Sequence, residues 1–241
     1  MNTKGARVIM VLGMHRSGTS ALAGSLQEQG VYLGKVFEES PHNKKGNREN
    51  AEIMQLNESV LAFSNGSWDV PPHSITWNNE HVKSRDHIVE GFTDSGHPLW
   101  GFKDPRSLFT LDFWLDGLKA ITDIVFVGTF RHPLAVAKSL MTRNNKPINE
   151  GLVLWETYNT RLLEIQKKYP FPLVSFDVEP DEYRKAVIRI TNKLGLRYNH
   201  PVDSPFFETT LRHETFDSPV EISENTLNIY HELMKIYEEQ Q

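Results

Sequence analysis

One short segment near the amino end has the residue types to hold an anion. Gly13-Met-His-Arg-Ser-Gly-Thr-Ser20 follows the apolar run Arg7-Val-Ile-Met-Val-Leu12 and leads into a helical pattern over Ala21 to Gln29, stopped by Gly30. Small residues let backbone N–H groups turn inward and face one anion. The N-terminus of the following helix adds partial positive charge. Arg16 adds a full charge on a planar fork that matches phosphate oxygens. The hydroxyls of Thr19 and Ser20 are further donors.

The spacing is similar to the phosphate loop G-x-x-x-x-G-K-[ST], but Thr19 occupies the lysine position. Nucleotide triphosphate hydrolases place that lysine on the β- and γ-phosphates, with Mg²⁺ on the next hydroxyl. Here the cation sits inside the loop as Arg16, so the segment suits a phosphate without suiting ATP chemistry. A second segment, Phe130-Arg-His-Pro-Leu-Ala-Val-Ala-Lys-Ser139, follows the clearest strand pattern of the chain, Asp123 to Phe130. Arg131 falls at the carboxyl end of that strand, where open α/β sheets bind ligands. Ser139 falls about two turns into the next helix. A third segment, Lys103-Asp-Pro-Arg106, ends a strand that begins near Trp100. A lysine there can stabilise charge that builds on a leaving oxygen. Acid–base work needs a carboxylate or an imidazole. The candidates are Glu49, Glu52, His42 and His15.

The loop Gly13-Met-His-Arg-Ser-Gly-Thr-Ser20 resembles the 5′-phosphosulfate loop of the sulfotransferase family, whose donor is 3′-phosphoadenosine-5′-phosphosulfate (PAPS). The spelling is similar to that of bacterial members on the carbohydrate-type side of the family. The resemblance implies that Gly13, His15, Arg16, Ser17, Gly18, Thr19 and Ser20 cradle the donor. It implies that Arg131 and Ser139 hold its 3′-phosphate, since the Arg-x-Pro segment resembles the family's second phosphate site. It places Lys103 near the transferred sulfonate, and Arg16 is expected to hold the leaving phosphate as a further catalytic residue. Carbohydrate-type relatives use a glutamate as base in the part of the chain corresponding to Ser40-Pro-His-Asn-Lys-Lys-Gly-Asn-Arg-Glu49, which makes Glu49 the expected base. Asn47-Arg48 stands where an aromatic residue often precedes that acid. Leu211-Arg-His213 resembles a short segment of relatives that folds back toward the donor. No metal is expected, because loop amides, Arg16 and hydroxyls can meet the leaving phosphate. The product would be adenosine 3′,5′-bisphosphate (PAP). The acceptor would be a small molecule or a glycan, with carbohydrate favoured by analogy. A small-molecule kinase and a non-catalytic nucleotide-binding module are the rival readings.

The elements that must position these residues follow an α/β order. The fold class expected is a three-layer, P-loop-like α/β domain with a central parallel sheet and a mainly helical insert. One domain over 1–241 is expected, with residues 35–98 as an insert or lid. That stretch is polar, broken by Pro71-Pro72, and helical near 49–64 and 79–90. Further helices are expected over 109–120, from Pro133 to about Arg143, over 151–168, 181–194 and 221–241, with a strand at Leu173 to Phe176. The final helix shows Leu227, Tyr230, Leu233, Met234 and Tyr237 at helical spacing. A Pro-rich tract over 199–220 is expected to wrap the surface.

Composition excludes several classes. The 241 residues include no cysteine, which removes thiol nucleophiles, disulfides and Cys-based zinc sites. With 26 basic and 31 acidic side chains the formal net charge is −5, so no global basic field draws nucleic acid. No apolar run is long enough to span a membrane. A cytoplasmic location is expected, which makes the glycosylation sequons at Asn57 and Asn65 chance matches.

Overall fold

The computed structural model describes residues 6–39, 46–119, 123–196 and 220–241. His42, Leu211-Arg-His213 and nearly all of the Pro-rich tract lie outside the described residues.

The sheet is built around strand β1, Arg7–Leu12. Val8 to Leu12 are each 2% exposed or less, as a strand covered on both faces requires. β1 lies between β2, Leu99–Lys103, and β3, Asp123–Phe130, and β4, Leu173–Ser175, lies outside β3. All pairings are parallel, giving the order β2-β1-β3-β4. Val11 pairs with Lys103 and Leu12 with Gly128. The register therefore brings the carboxyl ends of three strands to one edge. From β1 the chain goes to β2 on one side, then crosses to β3 on the other. Such a reversal opens a crevice at the strand ends, and the loop after β1 stands in it.

The expected helices form with adjusted ends. They are α1 (Thr19–Glu28), α2 (Ala51–Phe63), α3 (Asn79–Asp94), α4 (Leu111–Gly117), α5 (Pro133–Asn144), α6 (Ile148–Lys168), α7 (Pro180–Lys193) and α8 (Glu224–Glu238). Asn50 starts α2 by accepting from the N–H groups of Glu52 and Ile53, and Asn78 starts α3 through a capping box with His81. The helix expected over 109–120 is shorter. Pro105–Leu108 winds as a 3₁₀ turn instead, started by Asp104 accepting from the Arg106 N–H at 2.8 Å. In α8 the buried face is Thr226, Ile229, Leu233 and Tyr237, rotated from the expected stripe. Thr226 donates to Glu156 on α6 at 2.8 Å, which turns the first helical turn inward. Among the described residues no helix is long and apolar enough to cross a membrane.

Asn57 belongs to the interior, whatever its sequon suggests. It is fully buried on α2 and forms a polar knot with the segment after β2. Its amide donates to Ser107 Oγ at 3.2 Å, and its carbonyl accepts from Thr110 Oγ1 at 2.7 Å and from Trp114 Nε1 at 2.8 Å. The knot holds α2 against the segment that follows Lys103-Asp-Pro-Arg106. Asn57→Ala leaves buried polar groups unmatched and should lower stability by about 2–4 kcal/mol, read as a fall in urea midpoint. An unchanged midpoint would show that the knot holds nothing.

Candidate active site

The loop after β1 is shaped by two close approaches. At Gly13, φ is 149° and a Cβ would lie 2.4 Å from the Thr129 carbonyl oxygen of β3. At Gly18, φ is 86° and a Cβ would lie 2.3 Å from the Phe176 ring. Between them Arg16 adopts φ 67°, a left-handed conformation that costs a non-glycine residue roughly 1–2 kcal/mol. Its Nε donates to Ser139 Oγ on α5 at 2.8 Å, which fixes the guanidinium. Thr129 Oγ1 donates to the Ser17 carbonyl at 2.9 Å and ties the loop to β3. α1 then begins after Gly18 with no side-chain cap and no acid in its first turn. Its first N–H groups and its dipole are left to an incoming anion. The Ser17 hydroxyl is buried without a partner among the described residues, a further donor suited to one. Thr19, at the lysine position of a phosphate loop, is buried at 3% exposure.

The missing loop ammonium has a neighbour in space. Lys103, at the end of β2, is 3% exposed, and its Nζ donates to Glu49 Oε1 at 2.6 Å, to the Asn47 carbonyl at 3.0 Å and to Ser20 Oγ at 3.4 Å. Ser20 in turn donates to the Asn47 carbonyl at 2.9 Å. Glu49 is itself buried and placed by its surroundings. Asn50 after it caps α2, and the Glu49 carbonyl accepts from the Phe37 N–H at 3.0 Å. Just after β2, Asp104 holds the Arg106 guanidinium through both carboxylate oxygens, at 3.1 and 3.2 Å. Arg106 also reaches Glu58 at 2.8 Å. Burial raises the Asp104 carboxyl above its usual range, against the lowering pull of Arg106.

His15 faces Trp68 and Tyr158 edge-on, with ring centres 4.9 and 5.9 Å away. Burial first, then the charges of Arg106, Lys103, Arg143 and Arg16, hold its pKa well below 6.5, so its ring is neutral at pH 7. Tyr158 donates to the Trp68 carbonyl at 2.7 Å and fixes that wall.

The structure thus brings Gly13 to Ser20, Glu49, Lys103 and Ser139 to one edge of the sheet. Arg131 follows β3 at the same edge, but its guanidinium lies over the Phe176 ring at 5.5 Å, with Nε 3.9 Å from Asp177 Oδ1. Ser139, expected to act with Arg131, is bonded to Arg16. Glu52 lies beyond the Asn50 cap, within the first turn of α2. In front of the loop opens a cleft of about 390 Å³, walled by His15, Arg16, Glu49, Trp68, Arg106 and Arg143. Sequence reasoning did not single out Asp177, Glu58 or Arg143, and no local spacing marks them. A larger cleft of about 1130 Å³ lies beyond Asp69, between the 69–77 segment and α6, and does not include the loop after β1. Among the described residues no group of three or more His, Asp or Glu side chains could hold a metal ion.

Comparison with solved structures finds this fold in sulfotransferase domains. The sulfotransferase domain of the Synechococcus PCC 7002 olefin synthase is 17% identical, with 96% of each chain covered and a TM-score of 0.58. The sulfotransferase domain from the curacin biosynthetic pathway is 14% identical, with 95% of this chain and 98% of that one covered and a TM-score of 0.52. No protein-family model matches the sequence, and no curated protein is similar to it. The chain therefore shares the α/β fold of these sulfotransferase domains.

The neutral His15 has a consequence for stability. Its folded pKa lies below its unfolded one, so the unfolded chain takes up the extra proton as pH falls through 6.5. Stability supported by the neutral ring is intact above that value and is lost below it, by up to about 1.4 kcal/mol per pH unit. His15→Asn should flatten the acid limb of the urea-midpoint profile relative to wild type. Parallel profiles would show that His15 titrates normally.

Proposed function

We propose that the protein transfers a sulfonate group from PAPS to a hydroxyl or amine of a small-molecule or glycan acceptor. The observation that carries this reading is the buried Lys103–Glu49 pair, 2.6 Å apart, set against a phosphate-type loop that lacks its own lysine. The residues present fit the donor. The glycines leave room for close backbone approach, the start of α1 is uncapped, and the Ser17 hydroxyl has no other partner among the described residues. The bound donor supplies an activated sulfonate on a phosphate leaving group.

The residue roles follow from position. Gly13 to Ser20, with His15 in the wall, receive the phosphosulfate. Arg16, oriented by Ser139, balances its charge. Lys103 reaches both Glu49 and Ser20, so one ammonium spans the base and the phosphate loop. As leaving-group charge grows, that ammonium can stabilise it. Glu49 takes the acceptor's proton while the acceptor oxygen or nitrogen bonds to sulfur. The bond from sulfur to the bridging oxygen breaks, and PAP leaves. Arg131, with Ser139, is proposed for the 3′-phosphate. Residues 35–98 carry Glu49 and are proposed to close over the site.

A small-molecule kinase is disfavoured by Thr19 in the lysine position. Calorimetric titration separates the readings: PAP should bind without Mg²⁺ and more tightly than ATP–Mg²⁺, and the reverse order supports the kinase. For the base, Glu49→Gln should lower turnover by about 10²–10⁴-fold while PAP affinity holds. Wild-type turnover in that variant would remove Glu49 from the role. Tight PAP binding with no transfer to any acceptor in a mass-spectrometric screen would leave the nucleotide-binding module.

A further inference from the structure

Two cations of the cleft before the loop, Arg106 and Arg143, have no part in the chemistry above. Arg106 is held by Asp104 and Glu58, Lys103 by Glu49, and Arg16 bonds to Ser139. Arg143 is different. It stands on α5 one turn beyond Ser139, is half-buried, and lines the cleft that Glu49 also lines. Its charge is felt at His15 on another wall. Among the described residues its guanidinium makes no hydrogen bond or ion pair. A cation in the last turn of a helix is favoured by the helix dipole, but the dipole does not require the side chain to face a cleft. A guanidinium fork is the group that best matches a carboxylate, sulfate or phosphate.

Resting on the sulfotransfer reading, we propose that Arg143 binds an anionic group of the acceptor. The acceptor class is then a molecule carrying a hydroxyl or amine together with a carboxylate, sulfate or phosphate. The reading above assigns the donor's charges to the loop, Arg16, Arg131 and Ser139, which leaves Arg143 for the acceptor. The acceptor must instead lie where its nucleophile meets Glu49, and Glu49 and Arg143 line the same cleft. Trp68 and Leu140 also line that cleft and give it apolar surface.

The test uses matched pairs that differ only in the charge: 4-hydroxyphenylacetate against its methyl ester, and glucuronate against its methyl ester. Equilibrium dialysis against the full chain saturated with PAP reads binding whether or not transfer occurs. Wild type should hold the acids roughly tenfold to a hundredfold more tightly than the esters. Arg143→Ala should equalise them, and Arg143→Lys should retain part of the preference. PAP affinity and melting temperature should stay at wild-type values in both variants. Equal binding of acid and ester by wild type overturns the proposal, as does a preference that survives Arg143→Ala. A loss of PAP affinity in Arg143→Ala also overturns it, by assigning the residue to the donor. A preference for acids in a protein that transfers no sulfonate would defeat the catalytic reading and leave the anion subsite standing.

Discussion

A buried ammonium and a buried carboxylate 2.6 Å apart set the terms for the rest of the structure. Removing both from water is expensive, and their attraction offsets the cost only when geometry and further hydrogen bonds are good. Here the Asn47 carbonyl and Ser20 hydroxyl complete the coordination of Lys103. The pair therefore cannot form unless β2, the start of α1 and the segment before α2 are all in place. It is a structural lock made from the two groups proposed above for the transfer reaction. The coincidence is physically reasonable, because a site that excludes water strengthens the fields of its charges.

Around that lock the loop after β1 is held in a conformation that its glycines permit and Arg16 does not favour. Arg16 takes a left-handed backbone, and Gly13 and Gly18 stand where no Cβ fits. The Arg16–Ser139 bond and the Thr129–Ser17 bond hold this geometry from two neighbouring elements. Local strain that persists because its surroundings determine it is common where backbone amides must face a ligand. The uncapped start of α1 fits the same account.

The polar interior behind the site connects it to α2. Asn57 joins α2 to the 3₁₀ turn and α4, while Asp104 both starts that turn and pairs with Arg106. These buried groups bond to one another, which holds the segment in one arrangement, although Arg106 Nε has no partner among the described residues. Their cost in burial is visible in the raised carboxyl of Asp104. The same interior keeps His15 neutral among four cationic neighbours.

By itself the sequence determined the order of strands and helices and the character of the first loop. Those depend on short-range facts: continuous apolar runs, glycines at fixed offsets, prolines at helix starts. Asp123–Phe130 ran to its expected ends because its pattern is local and unbroken. The 3₁₀ turn before α4 and the rotated face of α8 were not legible. The partners that impose them, Asp104 in one case and Glu156 in the other, act through side-chain contacts with no periodic signature. The tertiary structure alone decided that Lys103 meets Glu49 across 54 residues, and that Ser139 bonds to Arg16 rather than to Arg131. It also decided that Arg143 faces the cleft. Pattern carries the period of an element, whereas the meeting of side chains depends on register and crossing, which exist only once the sheet has closed around β1.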